Sequence, residues 1–291
     1  MEFGVGFLFR IPHSAFRTPM VVPMVRRPAV AGYFYPSDLT ELRQLVGRLT
    51  AGPSERQSAH AVIVPHGSFR HSGAIAGAAF ARVLVPRRCI LIGPSHTGSW
   101  MPWSLMAQGS YRTPLGEVPV DAACAQALRA RCAFLEADAW SQRGEHAIEV
   151  QLPFLQQLGP SDLTIVPIVT GSDDPQEFDQ LATALAQVIR MQEEPVLLVA
   201  SSDLSHYEPQ ADGANQDRGL LAAAHAMDGG SLIRLIQRER WLMCGYGAVA
   251  CVLEASKRLG ATQANLVRYG TSAQAGGDPY SVIGYASLLI E

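Results

Sequence analysis

The chain has 291 residues, of which 48% are hydrophobic and 17% charged, and its formal net charge is −3. This composition is typical of a packed globular protein and excludes global disorder. Because the net charge is slightly negative and no run of Lys or Arg forms a basic stripe, neither nucleic acid nor a membrane surface is an expected partner. The five cysteines contain no CxxC pair, which favours reduced thiols in a cytoplasmic protein over a disulfide framework.

The predicted elements begin near residue 27. Residues 1–26 are predicted to be a disordered N-terminal tail, because their apolar patch is interrupted by Arg10 and Pro12 and is far shorter than the roughly 20 residues of a membrane span. No composition break, linker or internal repeat follows, so residues 27–291 are predicted to form a single α/β domain.

Helical and strand-like segments then alternate along the chain. Apolar residues at helical spacing predict helices, and short continuous apolar runs predict buried strands. In chain order these are a helix at 36–49 capped by Ser37 or Asp38, a strand at 61–64, a helix at 72–84, a strand at 89–92, helices at 120–131 and 144–158, a strand at 163–170, a helix at 175–190, a strand at 195–201, helices at 215–227, 230–240 and 247–260, and strands at 264–270 and 280–290. This pattern predicts a three-layer α/β/α fold with a mixed, largely parallel central sheet.

Two of the predicted strands end in a histidine. His66 follows the run 61–64 through Pro65, and His96 follows the run 89–92 through the turn residues 93–95. A single histidine at such a position is more often a hydrogen-bonded structural residue. Two at equivalent positions should converge where open α/β sheets bind ligands, outside the carboxyl ends of the strands. Two neutral imidazoles are a common start of a transition-metal site.

Cys244 is the best candidate for a third ligand. It precedes Gly245 and the predicted helix 247–260, and a helix N-terminus favours the thiolate that binds metal. The other four cysteines are expected to be buried and inert.

Asp203 and His206 lie on a third predicted strand-end loop. Asp203 could orient an imidazole or reach the metal, and His206 could act as a general acid or base. Equally, Asp203 could cap the loop. Glu145 and His146 could line the same cleft, or could only supply first-turn charge and capping to the predicted helix 144–158.

Eight segments, in order, resemble the Memo (mediator of cell motility) family, over nearly the whole chain from residue 27. They are RPAVAGYFYPSD, VPHGSFRHSGAIAG, LIGPSHTG, YRTPLGEVPVD, GEHAIEVQLPFL, VPIVTG, ASSDLSHY and CGYGAVACVLEA.

The resemblance implies a fold similar to the catalytic subunit of class III extradiol dioxygenases. It also implies a metal, iron or sometimes copper, held by two histidines and a cysteine, which match His66, His96 and Cys244. Asp203 and His206 match the neighbouring acid and the dioxygenase base. Prokaryotic relatives are often encoded near AMMECR-type and radical-SAM proteins, which implies a shared pathway.

Several residues depart from the family pattern. Ser68, Phe69 and His71 replace a glycine and two tyrosines of the usual PHAGY.YSG motif, and Thr97 follows His96 where the animal protein has a second histidine. None of these changes removes a predicted ligand, but they alter the wall of the pocket, so a substrate cannot be transferred from the family.

Four functional hypotheses follow. The first is a mononuclear Fe(II) protein, with copper or zinc as alternative metals, that oxidises a small metal-chelating substrate in a dioxygenase-like reaction. The second is a zinc-dependent hydrolase. The third is a non-catalytic protein that holds metal or peptide in a vestigial cleft. The fourth, a thiol enzyme with Cys244 as nucleophile and His206 as base, leaves the paired strand-end histidines without a role.

Overall fold

A nine-stranded mixed sheet with helices on both faces organises this computed structural model, which describes residues 24–52, 55–98 and 101–291. The strands are β1 (Val25–Arg26), β2 (Ala61–Val64), β3 (Arg88–Pro94), β4 (Trp103–Leu105), β5 (Ser110–Thr113), β6 (Gly116–Pro119), β7 (Glu136–Ala137), β8 (Thr164–Thr170), β9 (Val196–Ser201), β10 (His206–Glu208), β11 (Ala264–Thr271) and β12 (Val282–Ile290). The α-helices are α1 (Leu39–Leu49), α2 (Gly73–Phe80), α3 (Ala122–Arg129), α4 (Leu152–Leu158), α5 (Pro175–Arg190), α6 (Gln210–His225), α7 (Gly229–Glu239) and α8 (Tyr246–Leu259).

The centre of the sheet is parallel and its margins are mostly antiparallel. The strand order is β10-β12-β2-β9-β3-β8-β4-β7, and β11 pairs with β12. Strands β2, β9, β3 and β8 pair in parallel, whereas β12 is antiparallel to all of its neighbours. A second sheet has the order β1-β5-β6. The predicted fold class is therefore confirmed.

Helices cover both faces because the central strands are apolar on both sides. Ile90 and Ile92 pack into a core with α3, α5, α7 and α8, and the intervening Leu91 packs into the opposite core with α1, α2 and α4. Such strands are typical of a sheet buried between two helical layers. None of the helices in the described part of the chain combines the length and apolarity that a membrane crossing requires.

The parallel register places three strand ends side by side. Val64 of β2 is opposite Ser201 of β9, and Ile92 of β3 is opposite Ala200 of the same strand. The segments that follow β2, β3 and β9 therefore leave the sheet at one edge. This edge carries both predicted strand-end histidines and the Asp203–His206 loop.

Two of the differences from the predicted boundaries lie close to the site. The segment predicted as one helix at 144–158 has a 3₁₀ turn at Glu149–Gln151 and becomes α-helical only at Leu152, with Pro153 in the first turn, where its missing N–H is tolerated. Arg26 was predicted to belong to the tail, but it lies in β1 and is buried. Val25 lies in the same strand, and residues 1–23 of the predicted tail lie outside the described residues.

Candidate metal centre

Three side chains converge at the carboxyl edge of the sheet. One ring nitrogen each of His66 and His96 and the sulfur of Cys244 all lie within 4.8 Å of one another. The Cys244 Sγ is 3.2 Å from the His66 Nε2. Bonds of about 2.1 Å to nitrogen and 2.3 Å to sulfur in a tetrahedral site place such donors roughly 3.4–3.6 Å apart. The cluster therefore has the dimensions and the donor chemistry of a site for one transition-metal ion.

The tautomer of His66 is set by Ser201. The Ser201 hydroxyl donates its single proton to the Ala147 carbonyl at 2.7 Å, and it accepts from the Gln151 amide at 2.9 Å. The 3.0 Å contact with His66 Nδ1 must then have the ring as donor. His66 Nε2 is left unprotonated and faces the cluster. Burial and the neighbouring His96 together lower the pKa of His66 to about 3, so the ring is the neutral imidazole that metals bind.

His96 is oriented by a buried carboxylate. Glu145 accepts the His96 Nδ1–H at 2.9 Å and the His96 backbone N–H at 2.5 Å. The same carboxylate accepts the backbone N–H groups of His146 and Ala147 at 2.7 and 2.8 Å. Burial would raise the pKa of Glu145, but these hydrogen bonds and the charge of His96 lower it to about 2. Carboxylate–histidine pairs of this kind orient the imidazole ligands of metal sites.

Burial lowers the pKa of His96, but the hydrogen bond that His96 donates to Glu145 and the charge of that carboxylate outweigh burial and raise the pKa overall. Bound to Glu145 through Nδ1, the ring presents Nε2 to the cluster. In the protonated ring, Nε2 carries a second proton. A cation at the cluster would compete with this proton for Nε2, because only the neutral imidazole binds a metal.

Cys244 approaches the end of β9 because the next residue is glycine. A Cβ on Gly245 would lie 2.4 Å from the Ser201 carbonyl oxygen and 2.6 Å from the Ser202 Cβ, so no other residue fits without moving α8. The Gly245 N–H donates to the Ser202 hydroxyl at 3.1 Å, and the Asp203 N–H donates to the Cys244 sulfur at 3.3 Å.

The pKa of the Cys244 thiol differs from the value expected from the sequence. A low pKa was predicted from the helix N-terminus. Burial instead raises the pKa of the Cys244 thiol, and the charge of Asp203 raises it further, outweighing the hydrogen bonds to the sulfur. Without a cation the residue is therefore a thiol at neutral pH.

Asp203 and His206 occupy the third strand-end segment, as predicted. Asp203 Oδ1 accepts the His66 backbone N–H at 2.8 Å, and its Oδ2 lies 3.9 Å from His66 Nε2. Burial raises the pKa of Asp203 against these hydrogen bonds. His206 contacts the Leu204 carbonyl through Nδ1 at 2.7 Å; Nδ1 is therefore the donor, and Nε2 is free to accept a proton.

Two cavities adjoin the cluster. The polar cavity, of about 540 Å³, is lined by residues that include His66, His96, His146, Asp203, His206 and Tyr285. The apolar cleft, of about 340 Å³, is lined by Ile236, Trp241, Leu242, Met243 and Tyr246 together with His96, His206, Tyr207 and Cys244. Both volumes are in the range of small-molecule sites.

His146 and the orienting residues were not assigned from the sequence. The His146 ring stacks on His96, with centroids 4.6 Å apart, and burial lowers its pKa to about 4. His146 lines the polar cavity, as one sequence alternative predicted. Glu145 lines neither cavity; it bonds His96 and the backbone N–H groups that follow it, in a turn that precedes the 3₁₀ segment. Ser201 and Gln151 carried no sequence signal, since nothing local distinguishes them from ordinary core-edge polar residues.

The fold and this site define a class: an α/β protein whose candidate metal centre is built from strand-end imidazoles and a helix-preceding thiol. The sequence profile described as "Memo-like protein" matches residues 26–289. The chain is 33% identical to a MEMO1 family protein of Methanopyrus kandleri, over 91% of this chain and 99% of the relative. It is 36% identical to one of Methanothermobacter thermautotrophicus, over 91% of this chain and all of the relative. An uncharacterized Escherichia coli K12 protein of known structure is similar at a TM-score of 0.49 and 18% identity, over 79% of this chain and 99% of that one.

The profile match and the relatives, which this chain covers over almost their full length, show that the chain belongs to the Memo family. The resemblance deduced from the sequence motifs is confirmed.

Proposed function

We propose that this protein binds one divalent transition-metal ion through His66 Nε2, His96 Nε2 and Cys244 Sγ, and that the ion is Fe(II). The observation that carries the proposal is the convergence of these three donor atoms within 4.8 Å. The hydrogen bonds of Ser201 and Glu145 support it, because both leave Nε2 as the free nitrogen of its ring.

The donor set restricts the metal. Imidazole suits iron, copper and zinc, and thiolate adds a soft donor, whereas magnesium and calcium prefer oxygen ligands. Iron(II) is proposed first because three protein ligands leave coordination positions open for a substrate and dioxygen. Zinc and copper are the alternatives, and metal analysis decides between them.

The proposed reaction is oxidation of a small chelating substrate with dioxygen as the oxidant. Bound iron would supply the electron-transfer chemistry of such a reaction. The residues of the chain bind and orient the substrate in the polar cavity, and His206 Nε2 accepts a proton from it. Asp203 holds the His66 backbone at the cluster.

The pKa of Cys244 weighs against the thiol-enzyme hypothesis. A nucleophilic cysteine needs a lowered pKa or an adjacent base. Burial and Asp203 raise the pKa of this thiol. Among the described residues, the hydrogen-bond contacts of its sulfur are with His66 and Asp203 and not with His206, the base of that hypothesis. His66, 3.2 Å away, is too weak a base to deprotonate the thiol, because the pKa of that ring is about 3. A bound cation would remove the proton instead, as metals do with thiol ligands.

The test is anaerobic reconstitution with Fe(II), followed by metal analysis of the desalted protein. We expect about one iron per chain for the wild type and much less for His66→Ala and Cys244→Ser. Two variants are matched controls: His71→Ala removes a histidine of the polar cavity outside the cluster, and Cys124→Ser removes a buried cysteine of α3. Both should retain iron.

Circular dichroism of each variant shows whether it is folded. Stoichiometric iron in folded His66→Ala or Cys244→Ser would contradict the ligand set. Tighter binding of zinc than of iron under competition, with hydrolytic but no oxygen-consuming activity, would favour the zinc hydrolase. Stoichiometric metal without any turnover would favour the non-catalytic alternative.

A further inference from the structure

The three proposed ligands lie at the boundary between the polar cavity and the apolar cleft. His66 lines only the polar cavity, Cys244 lines only the apolar cleft, and His96 lines both. His206 also lines both. A ligand that contacts a metal at the cluster therefore lies beside both spaces.

The two spaces differ in chemistry. The polar cavity is lined by five histidines, by Asp203 and by Tyr285, which is 2% exposed. The apolar cleft is formed mainly by Ile236, Trp241, Leu242 and Met243. Leu242 is 60% exposed, so a ligand seated there would remove apolar surface from water.

Neither space offers a permanent cation. Among the described residues, none that lines either cavity is Lys or Arg. Asp203 adds a carboxyl to the polar side. A carboxylate or phosphate on the ligand, away from the metal-binding atoms, would lose its hydration without gaining a partner charge.

From this geometry we infer the substrate class of the proposed metal centre: an uncharged small molecule with a metal-chelating head and an apolar arm that occupies the cleft of Ile236, Trp241, Leu242 and Met243. The inference rests on the proposed function. A small molecule is favoured over a protein partner because the cleft is a recess of about 340 Å³ beside the metal cluster, which is a volume typical of small-molecule sites.

The expected affinity gain follows from burial. Each buried methylene contributes about 0.8 kcal/mol, or roughly fourfold in affinity. Four additional methylenes increase the affinity up to about 200-fold if all are buried, and about 15-fold if only two leave water completely.

The test uses the Zn(II)-loaded protein, which avoids redox chemistry, and three hydroxamates with the same chelating head. Acetohydroxamic acid has no arm, hexanohydroxamic acid has an apolar arm, and adipic monohydroxamic acid has an arm of equal length that ends in a carboxylate. Calorimetry gives the affinity of each ligand, and metal analysis gives the zinc content of each protein. We expect hexanohydroxamate to bind at least about tenfold more tightly than acetohydroxamate, and the carboxylate to abolish that gain.

Trp241→Ala and Leu242→Ser should each reduce the ratio of the hexanohydroxamate affinity to the acetohydroxamate affinity. Leu266→Ser, which changes a half-exposed leucine outside the cleft, should leave the ratio unchanged. Equal affinities for the three ligands, tighter binding of the carboxylate, or a gain that survives both cleft variants would overturn the inference.

Failure of the wild type to load zinc contradicts the metal centre itself, whereas loading without the gain contradicts the substrate class alone. Self-association abolished by Leu242→Ser, with no gain from the arm, would assign the cleft to a second copy of the chain.

Discussion

The substitution Glu145→Gln tests how the centre is oriented. The Glu145 carboxylate has four N–H partners: the ring and backbone of His96, and the backbones of His146 and Ala147. All four are donors. A carboxamide has one oxygen, so its NH₂ must face at least one of these donors. If it faces the His96 ring, the imidazole must release its Nδ1 proton and carry the proton on Nε2, where the metal is proposed to bind.

The expected loss has two measurable parts. Removing a carboxylate that orients a histidine ligand costs about 10- to 100-fold in metal affinity, and a buried donor left without an acceptor costs about 1–3 kcal/mol of stability. The pH dependence supplies a third measure. The pKa of Glu145 falls from 4.5 to about 2 in the folded protein, so its ionised form stabilises the fold by about 3 kcal/mol above pH 4.5. That stability is lost as the pH falls toward 2, because the unfolded chain takes up the proton first.

The assay is competition between the protein and a zinc chelator of known affinity, with urea unfolding of the metal-free protein from pH 7 to pH 3. Glu145→Gln should weaken zinc binding at least about tenfold. Its unfolding free energy should also fall less than that of the wild type as the pH drops below 4.5, because the variant lacks the carboxyl that takes up a proton. Glu136→Gln, at an exposed position on β7, makes the same charge change away from the centre and should affect neither quantity. A folded Glu145→Gln protein that binds zinc with wild-type affinity would refute the orienting role.

Three further outcomes are expected. His206→Ala should retain iron but lose any oxygen consumption that the wild type shows in a screen of chelating compounds, and unchanged turnover would exclude a base role. In the metal-free wild type, the unfolding free energy should fall as the pH drops from 6.5 to 4, because His146 binds a proton there only in the unfolded chain; its pKa in the folded protein is about 4. His146→Asn should reduce that slope by about 1.4 kcal/mol per pH unit. An unchanged slope would contradict this. Arg26→Met should destabilise the fold by about 3–5 kcal/mol in urea unfolding, because it leaves the buried Glu149 without its ion-pair partner. The same substitution at the exposed neighbour, Arg27→Met, should change the stability by under about 0.5 kcal/mol. Equal stabilities of the two arginine variants would contradict the role of the buried pair.

The positions of His66, His96, Asp203 and His206 could be predicted because they follow runs that are apolar at every position. Such runs identify central parallel strands, and parallel strands fix which ends meet. Cys244 was harder to place, since its proximity depends on the glycine that follows it, and its high pKa depends on burial and on Asp203, which no local pattern reveals.

The residues that orient the site were not predictable from one sequence. Glu145 bonds a histidine 49 positions away, and Ser201 bonds one 135 positions away. Arg26 resembled part of a tail, yet its guanidinium bonds Glu149, 123 positions later. The short strands β4 to β7 were missed because two to four residues of mixed polarity carry too little periodicity to mark a strand.

The most direct test of the central claim is the optical spectrum of the protein titrated anaerobically with Co(II). A sulfur–cobalt bond gives a charge-transfer band in the near ultraviolet, and the visible bands report the coordination number. Binding through His66, His96 and Cys244 predicts that the charge-transfer band grows to one equivalent of cobalt, disappears in Cys244→Ser and persists in Cys124→Ser. Stoichiometric cobalt without that band, or an unchanged band in Cys244→Ser, would show that the ion binds elsewhere.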